Sequence, residues 1–138
     1  MNQVIDMQVM RYLNLFNRIT KIKCKSCFHY NNGLIFAVPY LFLSRAIGEK
    51  ADNLRKLSVA FGKKIRIVAI PRGLGDAQKF IKIIISPIEF NEIKINNNLI
   101  EISADMQNRA SLFGRNKTRF NELSRILKEV FNKELRIV

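Results

Sequence analysis

The chain has 138 residues, of which 48% are hydrophobic and 25% charged, an ordinary globular usage that excludes collagen, coiled coil and a disordered chain. Lys and Arg number 24 against 11 Asp and Glu, a net charge of +13. An excess of that size on so small a surface favours a polyanion as partner, either nucleic acid or an acidic membrane face.

In chain order, Val9, Tyr12, Leu13, Phe16 and Ile19 recur at three- and four-residue spacing and predict an amphipathic helix over 6–20. From 21 to 30 the residues alternate, with Ile22, Cys24, Phe28 and Tyr30 on one parity and Lys21, Lys23, Lys25, Cys27 and His29 on the other, which reads as a half-buried strand. Residues three apart on a strand point to opposite faces, so Cys24 is expected in the core and Cys27 as a surface thiol. Two cysteines and one histidine fall short of a zinc site or a disulfide framework. Asn31-Asn32-Gly33 suits a tight hairpin into a second strand. A short apolar segment, the lone Gly48, a helix marked by Leu54, Leu57 and Phe61, and a strand over 64–70 complete the series.

The series then recurs. Asn31 to Ile35 matches Asn96 to Ile100 at four of five positions, and the stretch 61–68 matches 131–138 at five of eight. Gly48 corresponds to Gly114, and Asp6-Met7-Gln8 is echoed by Asp76-Ala77-Gln78. The second copy has a helix over 76–86 stopped by Pro87, a hairpin at Asn96-Asn97-Asn98, a helix carrying Phe120, Leu123, Leu127 and Phe131, and a strand over 134–138. Two units, 1–72 and 73–138, are expected to join at Pro71-Arg72-Gly73-Leu74-Gly75. Each has the order α-β-β-α-turn-α-β, an α+β fold with helices packed on one face of a small three-stranded mixed sheet. The charge is uneven: 1–72 holds 13 basic and 3 acidic residues, 73–138 holds 11 and 8.

No apolar run approaches the ~18 residues that span a bilayer, and Asp6 and Arg11 interrupt any signal-peptide pattern. A cytoplasmic protein without membrane attachment is expected. The one histidine has only lysine neighbours, and Gly73-Leu74-Gly75-Asp76 lacks the third glycine of a dinucleotide fingerprint. The expectation is a protein without catalytic activity, cofactor or metal.

The two glycine turns, Ala46-Ile47-Gly48-Glu49-Lys50-Ala51 and Leu112-Phe113-Gly114-Arg115-Asn116-Lys117, resemble the KH family, in which a Gly-x-x-Gly turn between two helices clamps about four unpaired nucleotides. A glycine lets the main chain approach phosphate, and the following helix directs its positive end there. Helix-first units in tandem are similar to the prokaryotic, type II, KH fold, and the whole length is similar to the short archaeal NusA-like transcription factors. That similarity is carried by Arg11-Tyr12-Leu13-Asn14-Leu15-Phe16, Ala46-Ile47-Gly48 with Asn53, Phe61-Gly62-Lys63-Lys64, and Phe80-Ile81-Lys82 followed by Ser86-Pro87.

The resemblance implies non-catalytic binding of single-stranded RNA in transcription elongation or termination, by a monomer, with RNA polymerase as a further partner. It places the RNA on Arg45, Ile47, Gly48, Glu49, Lys50, Ala51, Asn53 and Arg55 in one unit and Phe113, Gly114, Arg115, Asn116, Lys117 and Arg119 in the other. The sequence departs from the pattern at the second glycine of each clamp, held by Ala51 and Lys117, and at Glu49, where the family has a lysine. Those departures motivate an alternative, an adaptor on RNA polymerase or the ribosome whose KH units have largely lost RNA. Binding to duplex DNA ranks third, since nothing resembles a recognition helix.

Overall fold

The computed structural model describes residues 7–138, and the chain divides into two compact units, Met1–Ile70 and Pro71–Val138. The first contains α1 (Met7–Thr20), β1 (Ser26–Tyr30), β2 (Gly33–Val38), α2 (Tyr40–Ile47), a 3-10 turn (Glu49–Ala51), α3 (Asp52–Phe61) and β3 (Lys64–Ala69). A helix start at Asp6, and the Asp6 end of the upstream echo, lie outside the described residues. The predicted stripe on α1 does face the core. Phe16 is fully buried and stacks on Phe36 of β2 with ring centroids 4.5 Å apart, while Val9, Tyr12, Leu13 and Ile19 pack around it. Phe61, the last residue of α3, stacks on Phe36 at 5.7 Å.

The sheet runs β1-β2-β3, with β1 antiparallel and β3 parallel to β2. Parallel neighbours need a long crossover, and α2, the 3-10 turn and α3 supply it. The glycine turn therefore lies in the middle of a connection whose ends are pinned to adjacent strands. Val38 of β2 leads through Pro39 into α2, and Gly33 is held so close to β3 that a Cβ there would lie 2.7 Å from the Lys64 carbonyl oxygen.

The first strand is shorter than the alternation over 21–30 predicts. Lys21 takes a left-handed φ of 62° and its amide donates to the Asn17 carbonyl at 2.9 Å, closing α1. Asn17 Oδ1 then accepts the Cys24 amide at 2.8 Å, so the chain is a loop under the helix end and the ladder begins only at Ser26. Ile22, Cys24, Phe28 and Tyr30 are buried as the alternation expects, and Lys21, Lys23 and Lys25 are exposed; the departure lies at Cys27, on the other parity. Cys27 lies opposite Phe36 and His29 opposite Leu34; both face the helices, and His29 meets Tyr12 edge-on at 5.9 Å. The surface thiol expected at Cys27 is thus a core residue, 9% exposed. Cys24 is buried as expected, its Sγ within reach of the Ser26 and Ala37 carbonyls at 3.3 and 3.2 Å, and burial raises its thiol pKa above the ordinary value.

The second unit repeats the plan with α4 (Ala77–Ile85), β4 (Glu92–Ile95), β5 (Leu99–Ser103), α5 (Met106–Phe113), a 3-10 turn (Arg115–Lys117), α6 (Thr118–Phe131) and β6 (Glu134–Ile137). Asp76, the first residue of the helix expected over 76–86, belongs instead to a separate 3-10 turn, Leu74–Asp76, ahead of α4. Its sheet has the same pairing, β4 antiparallel and β6 parallel to β5. Ala77, Phe80, Ile81, Ile84 and Ile85 form the buried stripe of α4 and Leu123, Ile126 and Leu127 that of α6, and Phe80 meets Phe131 of α6 edge-on at 5.8 Å.

Two differences separate the sheets. All six positions of β2 are buried, whereas β5 alternates between buried and half-buried. The hairpins also differ: Asn31 and Asn32 take φ of 50° and 63°, as a two-residue turn demands. The second hairpin is also present, closed by the Asn96 amide donating to the Leu99 carbonyl at 2.8 Å, but no residue of Asn96-Asn97-Asn98 has the positive φ expected there. It is braced in addition by Lys133 Nζ donating to the Asn96 carbonyl at 2.8 Å and to that of Asn97, and by the Glu134 amide donating to the Asn98 carbonyl at 2.9 Å.

Candidate functional site

Both glycine turns are built the same way. The amide of Gly48 donates to the Ser44 carbonyl and that of Gly114 to the Ala110 carbonyl, each at 3.0 Å, ending α2 and α5. Gly48 has φ 85° and ψ 166°, and Gly114 has φ 71° and ψ 178°, a region open in practice only to glycine. A Cβ at Gly48 would lie 2.9 Å from the Asn53 amide nitrogen, and one at Gly114 the same distance from Arg119 Cγ. The next bend is made by two successive left-handed residues, Lys50 and Ala51 in one unit, Asn116 and Lys117 in the other, all with φ between 52° and 60°. The amides of Ala51 and Lys117 donate back to the glycine carbonyls at 3.1 and 3.3 Å. Left-handed φ costs a residue with a Cβ about 1–2 kcal/mol, which the surrounding bonds sustain. The bend therefore forms without a glycine at 51 or 117.

A side-chain lock recurs five residues after each glycine. Asn53 Nδ2 donates to the Arg45 carbonyl at 3.2 Å, and the Arg119 guanidinium donates to the Ser111 carbonyl at 3.3 Å. Each ties the start of the second helix to the last turn of the first. Asn53 and Arg119 were expected on RNA; their polar ends hold the turn's own geometry.

Charge separates the two turns. Between Gly48 and Asn53 stand Glu49, Lys50 and Asp52, two acids against one base. Asp52 also engages the nearest cations: Lys56 at 3.1 Å and Arg55 at 3.7 Å, with Arg55 donating in addition to the Lys50 carbonyl. Between Gly114 and Arg119 there is no acid, and Arg115, Lys117 and Arg119 are gathered within five positions. Neither Arg115 nor Lys117 has an ion-pair partner among the described residues. Thr118, absent from the expected set, donates its hydroxyl to the Arg115 carbonyl at 2.8 Å. Asp52 and Thr118 occupy the same place after each glycine, and the preference for Asp and Thr at helix starts is the signal that marks them.

Of the remaining expected residues, Arg45 is exposed on α2, with its guanidinium 5.7 Å from the centre of the Phe42 ring. Ile47 is half-buried at the end of α2, and Phe113 is half-buried and stacked on Phe120 at 5.3 Å. An open depression of about 420 Å³ adjoins the first turn, lined by Thr20, Ser44, Arg45, Gly48 and Glu49; Thr20 and Ser44 carried no sequence signal for it. Among the described residues no group of three or more His, Cys, Asp or Glu side chains is placed to hold a metal ion. Among the described residues no helix is long and apolar enough to cross a membrane.

No family model and no curated protein matches the chain. The crystal structure of APE1850 is similar over 97% of this chain and 100% of that one, with a TM-score of 0.63 and 23% sequence identity. At that identity the likeness concerns the fold.

Proposed function

We propose that the chain is a tandem KH protein of the helix-first, type II arrangement that binds single-stranded RNA without catalysis, in a NusA-like role in transcription. The observation that carries this reading is the pair of glycine turns, which share dihedral angles, back-bonds and a lock although their second glycines are gone. Each of these glycine bends leads into the start of a further helix beside cationic side chains, Arg45 and Lys50 in one unit and Arg115 and Lys117 in the other. The central strand flanked by one antiparallel and one parallel neighbour, in both units, supports the type II arrangement. Phosphates lie against the turns, where helix N-termini and arginine or lysine side chains favour negative charge.

The test is a titration of labelled single-stranded RNA into the full chain at several salt concentrations. Saturable binding whose log K falls by about 0.7 per phosphate neutralised, for each tenfold rise in salt, is expected. Absence of saturable binding at low salt, or binding indifferent to salt, refutes the reading.

A further inference from the structure

The helix before the first turn is apolar where it faces water. Tyr40, Leu41 and Phe42 are 66%, 84% and 39% exposed. Counted back from the two glycines, the same places on α5 hold Met106, Gln107 and Asn108. The second unit thus builds the same helix with two of the three places polar, so folding does not require the apolar side chains of α2. Consecutive exposed apolar residues of this size mark contact surfaces more often than chance placement does.

The charges nearby indicate what covers them. Asp105 stands at the start of α5 and complements the positive end of that helix, while α2 starts at Pro39, which brings neither a carboxylate nor a capping side chain. Arg45, held over the Phe42 ring, places a guanidinium beside the apolar face. The first 72 residues carry 13 basic side chains and 3 acidic ones. A segment bearing both apolar and carboxylate side chains complements all three features. A phosphate backbone fits less well, because it offers nothing apolar to cover Tyr40, Leu41 and Phe42.

We propose that the outward face of α2 docks an acidic amphipathic segment of a partner protein. Its apolar side covers Tyr40, Leu41 and Phe42, and its carboxylates meet Arg45 and the start of α2. The mode is that of an amphipathic helix read through anchors at i, i+3, i+4 and i+7.

The experiment measures anisotropy of a labelled synthetic helix with leucines at that spacing and glutamates elsewhere, titrated with the full-length protein. Two control helices carry lysines in place of the glutamates, or serines in place of the leucines. Saturable binding of the leucine–glutamate helix and neither control is expected. The paired change Leu41→Gln and Phe42→Asn, which installs the residues of the second unit, should weaken it at least about tenfold with an unchanged melting temperature. Arg45→Glu should weaken it independently, so one misfolded variant does not decide the matter. Failure of the leucine–glutamate helix to bind overturns the proposal, as does equal binding of either control. If the paired change lowers affinity for single-stranded RNA instead, α2 carries bases and the proposal is wrong. Concentration-dependent self-association abolished by the same change would make a second copy the occupant, and that too overturns it.

Discussion

The two turns of this chain share one backbone and differ in charge, which separates what the fold demands from what a ligand would. Where φ and ψ fall in a region closed to side chains, at Gly48 and Gly114, both units keep glycine. Where φ is merely left-handed, the units hold Ala51 and Lys117. Chain geometry thus explains why the first glycine of each clamp is present and the second dispensable. It does not explain why one turn holds Glu49 and Asp52 and the other Arg115, Lys117 and Arg119. On the proposed RNA-binding reading, that contrast makes the Gly114 turn the stronger of the two.

The sharpest way to break this comparison is to reverse the charge of one turn at a time. Arg115→Asp with Lys117→Asp should lower affinity for single-stranded RNA about a hundredfold at low salt and flatten the salt slope by about 1.4, two phosphates' worth. Lys50→Asp should lower it less than about threefold in the same titration. Equal losses from the two turns would erase the distinction. Aspartate is suited to Lys117 because short polar side chains tolerate left-handed φ.

A second comparison concerns the glycines themselves. Gly48→Ala drives its methyl against the Asn53 backbone amide, whereas Gly114→Ala meets the flexible Cγ of Arg119, both at 2.9 Å. Thermal unfolding should show each costing about 2–3 kcal/mol, Gly48→Ala the more, since a rotamer change frees the Gly114 methyl from Arg119 Cγ but not from its Cβ at 3.0 Å. Ala51→Gly should act in the opposite sense and more weakly, stabilising by about 0.5 kcal/mol. It relieves left-handed strain but adds freedom to the unfolded chain.

The least visible effect is confined to the first unit, which holds both thiols. Burial raises the pKa of Cys24, so the folded chain retains a proton that the unfolded chain releases. Stability from this source is complete below the ordinary thiol pKa of about 8.5 and is lost as pH rises through the higher, folded value. Alkylation at pH 8 should accordingly be far slower for the folded protein than for the urea-unfolded one. Equal rates would place Cys24 in solvent.

Much of this architecture was legible because it rests on local rules. The stripe from Val9 to Ile19 and the four apolar positions of α6 are helical periods, and the two copies reinforced each other's reading. The start of the first strand was misread because Lys21 closes α1 in a left-handed conformation, a role more usual for glycine. The hairpin at Asn96-Asn97-Asn98 was legible but its turn conformation was not. Asparagine fits several turn types, and Lys133, 36 and 37 residues away, sets its ammonium on two carbonyls of this loop. At the site, the turns themselves were visible as isolated glycines flanked by helices. The lock was not, since nothing local distinguishes Asn53 and Arg119 from other polar residues in a first helical turn.

The order of elements, the duplication and the position of each bend were set by the amino-acid sequence itself, because periodicity and the special freedom of glycine act between near neighbours. The direction in which Cys27 and His29 point, the assignment of Asn53 and Arg119 to the turns, and the engagement of Arg55 and Lys56 by Asp52 were decided by the tertiary structure. Side-chain direction and pairing depend on where a strand enters its ladder and which carbonyls a folded neighbour leaves within reach. Those are properties of packed elements, and no count along the chain contains them.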